Sequence, residues 1–170
     1  IRDISILSYR DGAWSQPRTL SEDGWEIYGC PVNGPSISAS EEDVAVSWFT
    51  SANDEPAVWL VLSDDAGETF GLPIRIDDGR PLGRIEVLTL SSSVFVAWME
   101  QTDDGAEVRL KQVDQGTVTG FWTVANTSEE RSSGFPQLVG DSERLVLAWT
   151  ETGNPSHLRT AIMSSRDYAN

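Results

Sequence analysis

Short runs of apolar residues, separated by polar turns, recur along this chain at a fixed spacing. Three of the runs end in a tryptophan (Trp48, Trp98 and Trp149), and the spacings between these tryptophans are 50 and 51 residues. The segments 35–37, 85–87 and 136–138 keep the same spacing, and each follows a glycine by a few residues. The chain therefore contains an internal repeat of about 50 residues, made of short β-rich runs with no helical segment between them.

This repeat predicts an all-β fold, a β-propeller built from four-stranded antiparallel blades. As one domain, the chain divides into a half blade at 1–29, full blades at 30–83 and 84–134, and an incomplete blade at 135–170. The predicted strands are 4–9, 16–20, 35–40, 43–49, 57–63, 72–77, 85–89, 94–99, 107–113, 121–125, 137–139, 144–150 and 158–163. Because each middle strand lies between two neighbouring blades, we expect it to be apolar on both faces and its tryptophan to act as a spacer.

The predicted strands number 13, which is fewer than the roughly 16 that a closed ring of four blades needs. Two explanations are open. The chain is a piece of a longer propeller, or a second copy completes the ring as a homodimer. Two copies with about three blades each would reach the roughly 24 strands of a six-bladed ring, with one strand per chain left over.

The net charge of −15 argues against partners that are themselves strongly negative. Nucleic acids and anionic membrane surfaces both require clustered lysine and arginine, so neither is expected to bind this chain. No apolar run approaches the roughly 18 residues of a membrane span. We interpret the acidity as a solvated surface. The single cysteine, Cys30, excludes an internal disulfide and is expected to be a buried free thiol.

Residues 63–70 carry a turn motif with the spacing Ser-x-Asp-x-Gly-x-Thr-Phe, formed by Ser63, Asp65, Gly67, Thr69 and Phe70. Its hydroxyl and carboxylate groups can satisfy backbone amides in a tight turn, while the glycine can adopt positive φ and the aromatic ring can enter the core. The motif resembles the Asp-box of sialidase-like propellers, also called the BNR repeat, and the resemblance implies a structural role. Fragments of the motif recur at 8–14 and 114–121, where the repeat places them.

The connections between blades, 21–34, 77–84 and 128–134, are expected to meet at one end of the propeller. The resemblance to sialidases implies a tyrosine nucleophile paired with a glutamate, an aspartate as acid and base, and an arginine cluster that binds the substrate carboxylate. The catalytic candidates are Tyr28, Glu26 or Glu129, and Asp78 or Asp77, and the substrate-binding candidates are Arg80, Arg84, Arg131, Asn33 and Trp25. The N-terminal Arg-Ile-Pro motif of the family is absent. The alternative interpretation is ordinary turns with structural ion pairs.

Two functions of different classes follow as hypotheses. The first is a sialidase-like glycoside hydrolase, an exo-glycosidase that acts on glycans at the loop-lined face. The second is a non-catalytic BNR-repeat propeller that binds a glycan or a protein. No cofactor is expected, and no metal site is expected because His157 is the single histidine and has no cysteine or histidine partner at ligand spacing. The resemblance implies a secreted or periplasmic location.

Overall fold

The computed structural model describes residues 1–29 and 32–168, so the expectation of a buried thiol at Cys30 lies outside the described residues. Fifteen strands and three short 3-10 helices are found in this part of the chain. The strands are β1 (Ile4–Ile6), β2 (Tyr9–Arg10), β3 (Ala13–Trp14), β4 (Arg18–Ser21), β5 (Ser36–Ser40), β6 (Asp43–Thr50), β7 (Ala57–Ser63), β8 (Ile74–Arg75), β9 (Pro81–Leu90), β10 (Ser93–Thr102), β11 (Gly105–Asp114), β12 (Thr117–Thr127), β13 (Gln137–Gly140), β14 (Arg144–Glu151) and β15 (His157–Ser164). The 3-10 helices are Ala52–Asp54, Arg131–Ser133 and Ser165–Asp167. Among the described residues, none of the helices has the length and apolarity needed to cross a membrane.

The strands form antiparallel sheets in chain order. Sheet I pairs β1 with β4, sheet II runs β5-β6-β7-β8, sheet III runs β9-β10-β11-β12, and sheet IV runs β13-β14-β15. A small hairpin of β2 and β3 projects from sheet I. The predicted all-β class and the predicted four-stranded antiparallel sheets are therefore confirmed.

Apolar residues on alternating positions of the middle strands pack the sheets against each other face to face. In β10, Val94, Val96 and Trp98 belong to the core shared with sheet II. Their neighbours Phe95 and Ala97 belong to the core shared with sheet IV. Because side chains alternate between the two faces of a strand, an unbroken apolar run means that both faces are covered. This is the reason that the run 94–98 shows no polar alternation.

The repeated tryptophans have one role in this packing, which is to fill the space next to the preceding sheet. Trp48 packs with sheet I, and Trp98 packs with sheet II. Trp149 is only half-buried and lies against the core between sheets III and IV. Trp48 and Trp98 are buried between neighbouring sheets, as the interpretation of these residues as spacers requires, whereas Trp149 is covered only in part.

Sheet I differs from the prediction because its two strands are shorter and an additional hairpin lies between them. Asp11 and Gly12 have positive φ, 51° and 81°, which is the geometry of a two-residue hairpin turn. The turn lets Tyr9 pair with Trp14, so the strand predicted at 4–9 ends at Ile6 and the strand predicted at 16–20 begins only at Arg18.

The predicted strand 72–77 is also too long, since β8 contains only Ile74 and Arg75. Pro73 has no amide hydrogen to donate, and the amide of Gly71 bonds instead to the carbonyl of Leu62 at 2.9 Å. Beyond β8, the Asp77 carboxylate takes the place of a strand partner and accepts from the amide of Val58 at 2.8 Å.

Removing the central spacer should test the packing. We expect Trp98→Ala to lower the free energy of unfolding by about 3–5 kcal/mol, because it leaves a cavity between sheets II and III. Trp14→Ala is the matched control, since Trp14 is exposed on the hairpin and its loss should cost about 1 kcal/mol or less. Urea unfolding followed by circular dichroism measures both changes, and equal losses would contradict the assigned core.

Candidate functional site

The loops of the molecule gather at two opposite ends of the sheets. The connection end holds the segments that join one sheet to the next, of which 22–29, 32–35, 76–80 and 128–136 are described, together with the loops 51–56, 103–104 and 152–156. The turn end holds the tight turns 41–42, 91–92, 115–116 and 141–143, with the longer segment 64–73. The candidate substrate-binding and catalytic residues lie in or beside the connection end, and the turn motif 63–70 lies at the turn end.

Hydrogen bonds join the first connection to the start of β9 at the connection end. The Asn33 side chain accepts from the amide of Arg84 at 2.8 Å and donates to the carbonyl of Leu82 at 3.1 Å. Gly83 makes this approach possible, because a Cβ at Gly83 would lie 2.6 Å from the Asn33 amide nitrogen. The first connection is thus held to the start of β9, which directly follows the second connection.

Arg84 extends this chain of contacts to the third connection. Its guanidinium is buried and donates to the carbonyls of Glu129 and Glu130, both at 2.9 Å, and to the Ser133 hydroxyl at 2.5 Å. Burial lowers the pKa of Arg84, and the nearby positive charge of Arg131 lowers that pKa further. Among the described residues, no carboxylate forms an ion pair with Arg84 or Arg131. Two guanidinium charges therefore lie close together without a paired acid.

Two buried carboxylates fix the backbone of the second connection. Asp77 accepts from the amide of Gly79 at 2.9 Å and pairs with Arg75. Glu100, at the end of β10, accepts from the amide of Arg80 at 2.6 Å and from the Trp98 indole at 2.6 Å. Carboxylates that accept several backbone amides can stay buried without a cation. The segment 77–80 is consequently a rigid part of the connection end.

Sequence reasoning missed Glu100, although one signal was present. A glutamate directly after the apolar run 94–99 lies where the strand should still be covered on both faces, so its burial needs donors. The preceding repeat has Thr50 at the equivalent position, and there the Trp48 indole nitrogen is buried with no partner among the described residues. The indole-to-carboxylate contact is a local property of sheet III and not a feature of every repeat.

Asp78, a candidate catalytic acid, and Arg80, a candidate substrate-binding arginine, both form ion pairs within the protein. Asp78 pairs with Arg109 at 2.6 Å and with Lys111 at 2.7 Å, and both partners lie on β11. These contacts tie the connection to the outer part of sheet III. Arg80 pairs with Asp103 at 2.8 Å in an exposed position. The structure places both candidates in structural contacts of the kind that the alternative interpretation of the sequence describes.

The candidate nucleophile pair lies on the first connection, apart from these ion pairs. Tyr28 is 98% exposed, and within the described part of the chain it makes no hydrogen bond to Glu26 or Glu129. Trp25 is half-buried, with its ring edge-on to Phe49 at 5.6 Å between centroids and the Arg2 guanidinium above it. The structure thus groups Asn33, Arg84 and Arg131, and it does not join Tyr28 to Asp78. The catalytic assignments of these residues remain predictions.

The turn motif forms the hydrogen bonds that its residue types predict. The Asp65 carboxylate accepts from the amide of Thr69 at 2.8 Å, from the Thr69 hydroxyl at 2.6 Å and from the Ser63 hydroxyl at 2.7 Å. Gly67 has φ of 81°, and its amide donates to the Ser63 hydroxyl at 2.9 Å. Phe70 packs beside the core between sheets I and II. These donors lower the pKa of Asp65 to about 2, with the Thr69 hydroxyl as the largest cause.

Cavities open at both ends of the sheets. One cavity, of about 690 Å³, lies at the turn end between sheets II and III and is lined by Asp43, Leu72, Thr89 and Ser91 among others. It follows from the short β8, which leaves sheet II one strand narrower there, and no arginine lines it. A cavity of about 400 Å³ at the connection end is lined by Glu129, Glu130, Asp104 and Glu151. We place the candidate site at the connection end because Arg84 and Arg131, which form no ion pair within the described part of the chain, lie there next to Glu129 and Glu130.

Comparison with known proteins bears on the fold alone. No protein-family model and no curated protein sequence matches the chain. Among solved structures, it is similar to a point mutant of the NanB sialidase from Streptococcus pneumoniae, with a TM-score of 0.59 and 12% sequence identity. The match covers 97% of this chain and 28% of the sialidase chain, so this chain spans little more than a quarter of that protein's length. A similar arrangement of sheets therefore occurs within a sialidase.

The contact between Gly83 and Asn33 can be isolated with two glycine substitutions. Gly83 and Gly12 have similar positive φ, 77° and 81°, but a Cβ at Gly12 would meet no atom within 4 Å. Gly12→Ala should therefore show the backbone strain alone, about 1–2 kcal/mol. Gly83→Ala should cost about 1–3 kcal/mol more, because it displaces the Asn33 amide and its two hydrogen bonds. Chemical unfolding compares the variants, and equal costs would rule out the Asn33 contact as a structural constraint.

The lowered pKa of Asp65 predicts how the turn responds to pH. The ionised form is stabilised in the folded protein, so its contribution is complete above the ordinary value of 3.8 and disappears as the pH falls through about 2. We expect Asp65→Asn to lower the Tm near neutral pH, and we expect this difference to shrink in the acid range. Asp64→Asn is the neighbouring control and should leave the Tm nearly unchanged. A Tm difference that stays constant down to the acid limit of folding would contradict the assigned hydrogen bonds.

Proposed function

We propose that this chain is part of a sialidase-like β-propeller and that its connection end binds an acidic glycan without cleaving it. The sheets would be the blades, and sheets II, III and IV would correspond to three consecutive ones. The likeness to a sialidase and the repeated packing of antiparallel sheets support this architecture.

The observation that carries the binding proposal is the pair of arginines, Arg84 and Arg131. The protein has a net charge of −15, yet no described acid forms an ion pair with these two guanidiniums. A fixed positive charge in such a setting attracts an anion, and its effect is larger where part of the water is excluded. The carboxylate of an acidic sugar matches this charge.

The two arginines would contribute in different ways. Both Nη groups of Arg84 already donate hydrogen bonds to the third connection. Arg84 would therefore supply charge rather than direct hydrogen bonds to the ligand. Arg131 is exposed, and its planar guanidinium can bind a carboxylate with two hydrogen bonds. The rigid segment 77–80 and the Asn33 contact would keep the surrounding backbone in place. Arg131 is therefore the residue whose loss should affect binding most directly.

Binding is favoured over hydrolysis by the positions of the candidate catalytic groups. A hydrolase of the sialidase type needs a tyrosine, a glutamate and an aspartate acting on one sugar, with a base within hydrogen-bond reach of the nucleophile. Tyr28 points into solvent, and Asp78 is held by Arg109 and Lys111. Hydrolysis stays the second candidate function, and the observation in its favour is the likeness to a sialidase.

Isothermal titration calorimetry with sialyllactose and lactose tests the proposal, because the two ligands differ by the acidic sugar. We expect sialyllactose to bind and lactose to bind much more weakly. Arg131→Ala should weaken sialyllactose binding at least about 10-fold, which corresponds to about 1.4 kcal/mol. Arg166→Ala removes the same charge beside the turn end and should have no effect.

The outcomes separate the candidate functions. Equal affinity of the wild-type protein and Arg131→Ala would remove the arginine pair from the site. Release of free sialic acid from a fluorogenic sialoside, abolished by Tyr28→Phe, would instead support the hydrolase.

A further inference from the structure

Sheet IV leaves one of its faces uncovered, and this face is apolar. We define the tail face as Val139, Val146, Ala148, Leu158 and Ile162. Val139, Val146 and Ile162 lie in one row across the three strands, because Val146 pairs with both of the others. Val139, Leu158 and Ile162 are 62%, 74% and 66% exposed. Such a row on a sheet face is typical of a surface that packs against another sheet.

The tail face also stands out by its charge. The protein carries 27 acidic residues, yet the strand positions on this face include no carboxylate. Its one charged residue is Arg144, at the end of β14. A surface without acids on a strongly acidic protein can approach a second acidic molecule at lower electrostatic cost than the rest of the surface.

A second bare surface lies on sheet II, on the side that faces sheet I. We define the head face as Ile37 and Ala39 of β5, next to Val46 of β6. Ile37 is 59% exposed, whereas Val87 and Leu138, at the equivalent positions of sheets III and IV, are 3% and 4% exposed. Val87 and Leu138 are covered by the preceding sheet. Sheet I covers Val46 and Val61 but not Ile37, because neither of its two strands lies beside β5.

The stacking within the chain shows how such surfaces fit together. Each sheet has a preceding face, which points toward the sheet before it in the chain, and a following face, which points toward the sheet after it. At the interfaces between sheets II and III and between sheets III and IV, the following face of one sheet packs on the preceding face of the next. The tail face is a following face, and the head face is a preceding face. The chain thus carries both halves of an interface that it already forms internally.

We propose that a second copy of this chain covers these surfaces, with the tail face of each copy on the head face of the other. Two such contacts related by a twofold axis close the assembly, so neither face remains bare. The proposal concerns assembly, and it holds or fails independently of glycan binding. Because each copy carries a charge of −15, the dimer should be stabilised by salt, which screens the repulsion between the copies.

Light scattering after size-exclusion chromatography measures the assembly of the 170-residue chain. We expect a mass of about twice 18.7 kDa at micromolar concentration, with the dimer fraction rising as NaCl is added. Ile162→Asp on the tail face and Ile37→Asp on the head face should each weaken dimerisation at least about 10-fold. Leu72→Asp changes another exposed apolar residue, at the turn end, and should leave the dimer intact. Circular dichroism of each variant checks that the substitution at an exposed position leaves the fold unchanged.

A mixture of the two interface variants adds a sharper test. The tail face of Ile37→Asp and the head face of Ile162→Asp are both unchanged, so the mixture should recover one of the two contacts and a weak dimer. A wild-type protein that stays monomeric at all salt concentrations would overturn the proposal and point to another occupant, such as a further sheet of a longer polypeptide. A dimer that Ile37→Asp leaves intact would also overturn it, because it would indicate pairing between two tail faces. A mass that keeps increasing with protein concentration would also overturn the proposal, because it would indicate an open chain of copies and not a closed dimer.

Discussion

The packing of sheet faces is the constraint on which the rest of this structure depends. The middle strands carry apolar residues on both sides, and burying both sides requires a sheet before and a sheet after. Sheet III meets this condition, and its central strand is buried from Val94 to Glu100. Sheets II and IV meet it in part, so Ile37 and Ile162 remain exposed. The requirement that both faces of a sheet be covered accounts for the repeated tryptophans, for the internal repeat and for the bare faces at the two ends of the stack.

This packing also determines where chemistry can occur. The sheets hold their connections at one end, where Asn33, Arg84 and Glu100 use side-chain groups to fix the backbone. The same end carries the arginine pair, and the turn end carries the hydrogen-bonded motif around Asp65. Asp78 and Arg80 form ion pairs with Arg109 and Asp103, and these pairs hold neighbouring segments together. These contacts are the basis of our proposal that the connection end recognises an anion.

The sequence predicted those features that depend on local pattern. The regular spacing of Trp48, Trp98 and Trp149 located the middle strands, and the spacing of residue types in 63–70 predicted the hydrogen bonds of Asp65. Features that depend on distant contacts were missed. Just beyond β8, the Asp77 carboxylate accepts from the distant amide of Val58, and the burial of Glu100 depends on donors supplied by another connection. The hairpin at Asp11 and Gly12 did have a local signal, the Asp-Gly pair, which the repeat alignment obscured.

Hydrogen exchange of two equivalent strands tests the central role of face packing most directly. Strands β10 and β14 are each paired on both edges, so their backbone hydrogen bonding is alike, but only β10 is covered on both faces. The account predicts that, in dilute monomeric protein, the amides of β10 exchange much more slowly than those of β14. Equal exchange rates in the two strands would show that edge pairing alone sets local stability, and would contradict the account.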